Sequence, residues 1–409
     1  MARSEDLPRF PFPGSSHRGP DPLFGRLRAE RPVVRVTTAN GTPAWLITRH
    51  EDIRTALEDS RLSRAATYEP SAPQFDGLFQ APPGMIISLD PPDHTRLRAL
   101  AVQAFSPERI ERMRPRVRQL VDELLGLAEK EAAEGPVDLL GAFTGPLALS
   151  VICELLGVPE ADRTVFHGWI RQFADVGGSQ DEAVAAREQL GAYMAGLVTG
   201  RAQAPGDDVL SALIAARLGD DRLSTEELIG LGYTLLGAGG DSSASQLANS
   251  VLTLLSRHRD VWRRLGEHPE EVPEAVEELL RGVNLLGDDT SGLPRIATDD
   301  ITIGGVTIPA GDAVFLAFAS ANRDESVFAD PDRLDFRRSH NPHLSFGHGM
   351  HRCLGAALAR IEIAVAVEEL TRRYPDALLA VPEDELAWQR GDVNHRLVAL
   401  PVRLHGATG

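Results

Sequence analysis

No stretch of this 409-residue chain approaches about 18 uninterrupted apolar residues, so nothing in it reads as a membrane span. Positive charge is also short. Lys and Arg total 42 against 59 Asp and Glu, a net charge of −17, and phosphate-backbone binding depends on neutralising cations. No nucleic-acid or membrane partner is therefore expected. The first 22 residues, rich in Pro, Arg, Gly and Ser, have no apolar signal-peptide core, which points to a cytoplasmic protein. Repeats and low-complexity blocks are absent. Cysteine is scarce, with only Cys153 and Cys353. Two cysteines give no disulfide framework, and a reducing compartment disfavours a bridge between them.

What is present is an ordinary globular composition, 43% hydrophobic and ample for a large apolar interior. Length alone suggests two or three domains. Val33 to Arg49, with its Gly41-Thr42 turn, reads as a hairpin, and Glu51 to Leu57 as a helix. Arg61 to Pro92 carries six prolines after position 69 and reads as a long irregular connection. Asp93 to Arg281 is almost all helical in pattern, punctuated at Gly135-Pro136 and Ala204-Pro205-Gly206. Gly304-Gly305 between Ile301-Thr302-Ile303 and Val306-Thr307-Ile308 is a two-residue hairpin signal. A helix follows Cys353, and strands return near the C-terminus. The sum is mainly α with smaller β regions, and periodicity offers no clear domain cut.

The two cysteines stand in different settings. Cys153 lies in the apolar run Leu149 to Leu156 and reads as a small buried hydrophobe. Cys353 ends the loop Leu344-Ser345-Phe346-Gly347-His348-Gly349-Met350-His351-Arg352-Cys353-Leu354-Gly355. Its glycines allow tight turns beside something bulky. Leu354, Leu358, Ile361 and Val365 then fall on one helical face, which predicts a helix directly behind the cysteine. A thiol at a helix N-terminus is expected to have a lowered pKa, and the thiolate is the metal-binding form. Phe346 could cover the sulfur. One thiolate without a second cysteine nearby argues against structural zinc and suits an iron held by a macrocycle. A Gly-rich turn around a buried cysteine is the bland alternative.

Phe346-Gly347-x-Gly349-x-His351-x-Cys353-x-Gly355 resembles the haem-binding loop of the cytochrome P450 family, whose iron is held by a Cys thiolate. The resemblance runs from about Val33 to Leu404. It implies one large, mainly helical domain spanning 1–409 instead of two or three. Within it, 1–32 would be an extended N-terminal segment, 93–281 the helical part, and 295–320 and 380–405 the β-rich parts.

The resemblance also assigns residues. Heme b would be bound by Cys353 on iron, with Phe346, Gly355 and Ala238 against the macrocycle. His94, Arg98, Arg295 and His351 would meet the propionates; His94 and Arg98 stand four apart on one predicted helix face. Gly237-Ala238-Gly239-Gly240-Asp241-Ser242-Ser243 interrupts a helical pattern from Glu226 to His258, which suggests a close approach, an opened groove or a helix break. Asp241 and Ser242 match the family's acid-alcohol pair for proton delivery, where threonine is usual. Serine lacks the methyl that stiffens χ1. Glu278 and Arg281, at i and i+3, match a buried structural pair, with Arg323 and Asp330 to Arg333 nearby.

In this reading, substrate displaces water from iron and a ferredoxin, with its ferredoxin reductase, supplies electrons. Dioxygen binds opposite Cys353, the thiolate promotes O–O cleavage, and hydroxylation is the default outcome. Met85, Ile86, Leu236, Gly240, Leu293 and Val393 are substrate-pocket candidates, and the resemblance implies that the segments Ala65 to Ile87, Phe166 to Tyr193, Leu285 to Leu293 and Gly391 to Val393 line the pocket. The stretches from Glu277 through Thr298 and from Ala380 to Trp388 look similar to actinobacterial members that oxidise cyclic dipeptides, some by C–C coupling. A macrolide, terpenoid or other peptide is the alternative substrate. Two other classes stay open: a cysteine hydrolase, which needs a His base beside Cys353, and a haem-containing sensor or partner protein, which needs no proton delivery.

Overall fold

The Ser224-Thr225-Glu226-Glu227 sequence organises the centre of the molecule. In the computed structural model, which describes residues 7–73, 84–174, 180–286, 294–389 and 394–405, the Ser224 Oγ accepts from the Glu227 N–H at 3.2 Å. The Glu227 carboxylate in turn accepts from the Ser224 N–H at 2.7 Å. This reciprocal cap satisfies two otherwise orphaned donors and starts the long helix Thr225–Arg257, 33 residues or about 50 Å. From Ser243 to Leu255 every residue of it is buried.

The glycine run does not break this helix; of the readings its sequence allows, close approach is the one found. Gly239 explains why. A Cβ there would lie 2.4 Å from Ile152 Cδ1, so the run lets the helix Gly145–Leu156 approach closely. Packing outweighs the roughly 1 kcal/mol that each interior glycine costs. The neighbouring Gly237 and Ala238 are exposed in mid-helix, leaving one open stretch of helix face.

Around this axis stand the helices Asp93–Ala104, Arg114–Ala132, Gln180–Gln203, Val272–Gly282 and Ala356–Arg373. The buried face foreseen behind the cysteine is present: Leu358, Ile361 and Val365 join the main apolar cluster. Cys153 sits in the same cluster with no exposed surface, and both cysteines are free.

The β parts are small. A five-stranded sheet runs in the order Val33–Thr37, Pro43–Ile47, Ala313–Leu316, Arg295–Ala297, Leu62–Ser63. Val33–Thr37 and Pro43–Ile47 form the expected hairpin, with Val33 opposite Ile47. The Gly304-Gly305 hairpin is also present. Both glycines have positive φ, 55° and 76°, as a primed turn requires. The Asp93–Arg281 stretch is less purely helical than its pattern suggests: Val137–Asp138 pairs with Pro401–Arg403, which also pairs with Leu378–Leu379. Two-residue strands carry no readable period. All these elements build one domain, mainly α with smaller β regions.

Glu278 and Arg281 are wholly buried and bonded twice, at 2.6 and 2.9 Å. Arg281 donates further to the carbonyls of Asn322, Pro331 and Arg333. Glu278 accepts from the Asp335 N–H, Arg338 and Asn341. The pair therefore pins residues 322–341, the approach to the cysteine loop, onto Val272–Gly282. Arg323 joins by donating to the Gly282 carbonyl and pairing with Asp332.

Candidate active site

The cysteine loop is built from local bonds. Gly347 and Gly349 have φ of 67° and 65°, a region L side chains avoid. A Cβ on Gly349 would also lie 2.4 Å from the Leu57 carbonyl oxygen. The Cys353 N–H donates to the Phe346 carbonyl at 2.8 Å, which fixes where the sulfur emerges. The helix behind it begins at Ala356, capped by Gly355, so Leu354 lies outside it and Cys353 stands further from the helix end than its sequence suggests.

That displacement matters electrostatically. The expected lowering of the Cys353 pKa is not found. Burial pushes the thiol up, and the Gly355 N–H with the Arg98, Arg352 and Arg360 charges only partly offsets it. Cys353 is hemmed in by protein yet keeps an exposed surface, the combination expected of a residue lining a recess. Cys153, with no such opening, is pushed up to about 12 by burial.

Beside the cysteine loop, four of the residues assigned to the propionates do come together. His94 is buried, and its ring centre lies 4.2 Å from that of His351. Arg295 is buried at the start of its strand, and Arg98 donates to the Arg352 carbonyl. A fifth member, Arg64, was not foreseen. It is buried, and burial lowers its pKa to about 10. Burial, then Arg64, His94, Arg295 and Arg98, hold His351 down at about 2. Arg295 is lowered by burial and by Arg64. Among the described residues, Asp90 is the carboxylate that acts on Arg64, His94 and Arg295, and it is already bonded to Ser63 and the Arg64 N–H. His94 Nδ1 and Arg64 Nε are buried without a partner. Buried cations in such excess call for anions, and two carboxylates presented together fit the donor set.

A cleft of about 110 Å³ opens between the long helix and Ala356–Arg373, below the range of drug-sized ligand sites. Ser242, Ser243, Leu285, Leu286, Phe346 and Ala359 border it. Arg360 stands 4.6 Å from the Phe346 ring centre. Cys353 and the cationic cluster are not among its walls, so the cleft reaches the region from one side only. Met85, Ile86, Leu236 and Gly240 do not border it either: Ile86 and Leu236 are buried in the main core, Met85 and Gly240 half-buried. Leu293 and Val393 lie outside the described residues.

Asp241 and Ser242 are half-buried on the long helix. Ser242 Oγ donates to the Ala238 carbonyl on its own helix. The Asp241 oxygens face Asn394 Nδ2 at 2.8 Å and Arg396 Nη1 at 3.1 Å. Glu362 is a further acid that sequence reasoning missed. It is buried on the cysteine helix, bonded to Ser243, and raised by burial to about 8, with Oε1 unpartnered. In sequence it is one polar position in an amphipathic helix, with nothing to say that it faces inward.

The family model for cytochrome P450 matches residues 272–375. Nocardicin C N-oxygenase of Nocardia uniformis subsp. tsuyamanensis is 44% identical over 97% of this chain and 98% of its own. Mycinamicin IV hydroxylase/epoxidase of Micromonospora griseorubida is 43% identical over 93% and 94%. Among solved structures, the mixed-function P450 MycG superposes with a TM-score of 0.90 at 41% identity, covering 97% of this chain and 100% of that one. The LnmA P450 hydroxylase from the leinamycin pathway of Streptomyces atroolivaceus S-140 gives 0.88 at 42% identity, over 97% and 100%. This chain belongs to the cytochrome P450 family: it is a heme b monooxygenase.

Proposed function

We propose that the chain oxidises a small secondary metabolite with dioxygen and electrons from a ferredoxin-type carrier, with Cys353 as the iron ligand. The juxtaposition of the recessed, partly exposed Cys353 with a buried cluster of cations short of anions carries this reading. His94, Arg98, Arg295 and His351, joined by Arg64, would hold the propionates. Phe346, Gly355 and Ala238 would flank the macrocycle. When bound, heme b supplies the dioxygen activation. The chain's own residues hold and orient it, shield the cleft from water, and move protons through Asp241 and Ser242.

Substrate class rests on the relatives, two of which are named for oxygenating nocardicin C and mycinamicin IV. Arg98 and Arg352 give the cysteine side local positive charge in a chain of −17, Arg360 being paired with Glu277, which suits an acidic electron carrier. C–C coupling of an aromatic cyclic dipeptide is the second reading. Ser242 in place of the family's usual threonine is compatible with it, because coupling inserts no oxygen into the product.

Titration of the ferric holoprotein with macrolides, terpenoids, linear peptides and aromatic cyclic dipeptides tests the class through the low-to-high spin change. Turnover of the responding compound in labelled dioxygen then separates the two outcomes. Label in the product establishes oxygenation, and an unlabelled dimer establishes coupling. No spin response from any class would overturn the substrate assignment.

A further inference from the structure

We infer that Arg396 and Asn394 are positioning residues for Asp241, tying the proton-handling acid to the wall of the substrate cleft. The inference rests on the proposed role of Asp241 and goes beyond it. Both carboxylate oxygens are engaged, Oδ2 by Asn394 Nδ2 and Oδ1 by Arg396 Nη1, from a segment about 150 positions away in sequence.

That segment is anchored. The His395 N–H donates to the Leu285 carbonyl at 2.6 Å, Asn249 Nδ2 donates to the His395 carbonyl at 2.7 Å, and Leu286 bridges to Asn394. Leu285 and Leu286 border the cleft. A substrate pressing on them bears on the backbone that holds Asn394 and Arg396, and through these on the acid. Ser242 meanwhile spends its hydroxyl on Ala238. To pass a proton toward the cleft, Asp241 must exchange one of its two partners for water or Ser242. Both members of the ion pair are about one-third exposed, 35% for Arg396 and 32% for Asp241, and such pairs are weak enough to exchange. The pair therefore orients the acid between turnovers without locking it.

Hydrogen peroxide equals dioxygen plus two electrons and two protons, so a peroxide-driven oxidation draws no net protons through Asp241, whereas a dioxygen-driven one must draw two. The test compares Arg396→Met, Arg396→Lys and Asp241→Asn holoproteins. One readout is dioxygen consumption driven by a surrogate ferredoxin and its reductase in H2O and D2O; the other is peroxide-driven guaiacol oxidation. Arg396→Met is expected to slow the dioxygen route by about threefold or more, since misorienting a proton-handling group slows transfer. Its solvent isotope effect rises, Arg396→Lys recovers most of the rate, and the peroxide route stays within about twofold. Melting temperature gives an activity-independent check: Arg396→Met and Asp241→Asn combined should lower it no further than either alone.

Equal loss in both routes, no loss, a gain, or additive melting shifts overturn the inference. If Asp241→Asn itself leaves the dioxygen route unchanged, the underlying role of Asp241 fails. If Asp241→Asn slows that route and Arg396→Met does not, only the positioning role fails.

Discussion

The imidazole rings of His94 and His351 lie 4.2 Å apart, centre to centre, tilted by 47°, with Arg64, Arg98 and Arg295 acting on His351 from the same surroundings. Each of these groups is pushed toward its neutral form by burial or by its neighbours. A site assembled at such electrostatic cost is one that a bound anion would stabilise.

Arg295→Met should therefore act with opposite signs in the two states of the protein. With haem bound, it removes a charged donor. Haem retention should fall roughly 10- to 100-fold, in line with about 1.5–3 kcal/mol for a hydrogen bond to a charged group. Haem transfer to an excess of apomyoglobin measures this. Without haem, the same change relieves buried repulsion, and the melting temperature should rise. Destabilisation in both states would mean that Arg295 serves packing alone.

Cys353→Ala should abolish the strongly red-shifted Soret band of the reduced carbon monoxide complex, while the far-ultraviolet circular dichroism of the chain persists. Cys153→Ala should keep the band and cost about 1 kcal/mol, the size of a small buried apolar group. Iodoacetamide should modify Cys353 in the haem-free protein and spare Cys153, which has no exposed surface. A surviving red-shifted band in Cys353→Ala would remove the iron ligand assigned here.

Arg281→Met leaves the wholly buried Glu278 carboxylate with Arg338, at 3.2 Å, as its remaining cationic partner beside the Asp335 N–H and Asn341, and strands the Asn322, Pro331 and Arg333 carbonyls. It should destabilise the fold by about 3–5 kcal/mol, read from chemical denaturation. Glu278→Leu with Arg281→Met should cost less than Arg281→Met alone, because the buried carboxylate is gone. A double variant worse than the single would contradict the burial cost invoked here.

Glu362 makes stability depend on pH. Its folded-state pKa of about 8 lies above its ordinary 4.5, so the fold favours the protonated acid. Stability tied to that proton is complete below about pH 4.5 and is lost as pH rises through 8. Glu362→Gln, which cannot ionise, should match the parent chain near pH 4.5 and melt higher than it at pH 8.5. A melting difference that stays constant between those values would show that Glu362 is ionised in the fold.

Short-range constraints account for what could be read from residue order alone. The Gly304-Gly305 hairpin, the burial of Cys153 and the glycines of the cysteine loop follow from backbone sterics and periodicity within a dozen residues. The loop motif is dense enough to carry the family with it. Glu278 and Arg281 were legible from spacing only as neighbours on one helix face; that the pair is buried and structural came from the family resemblance.

Tertiary structure decided the rest. Arg64 reaches the cationic cluster from an irregular segment, and Arg396 reaches Asp241 from the far end of the chain. Val137–Asp138 becomes a strand only because Pro401–Arg403 lies beside it. The glycine run stays helical because Ile152 packs onto Gly239. The pKa values of Cys353 and Glu362 are set by which neighbours exclude water. Each of these depends on contacts between residues far apart in order, where burial and charge act through space, and residue order by itself determined only which local pieces would meet there.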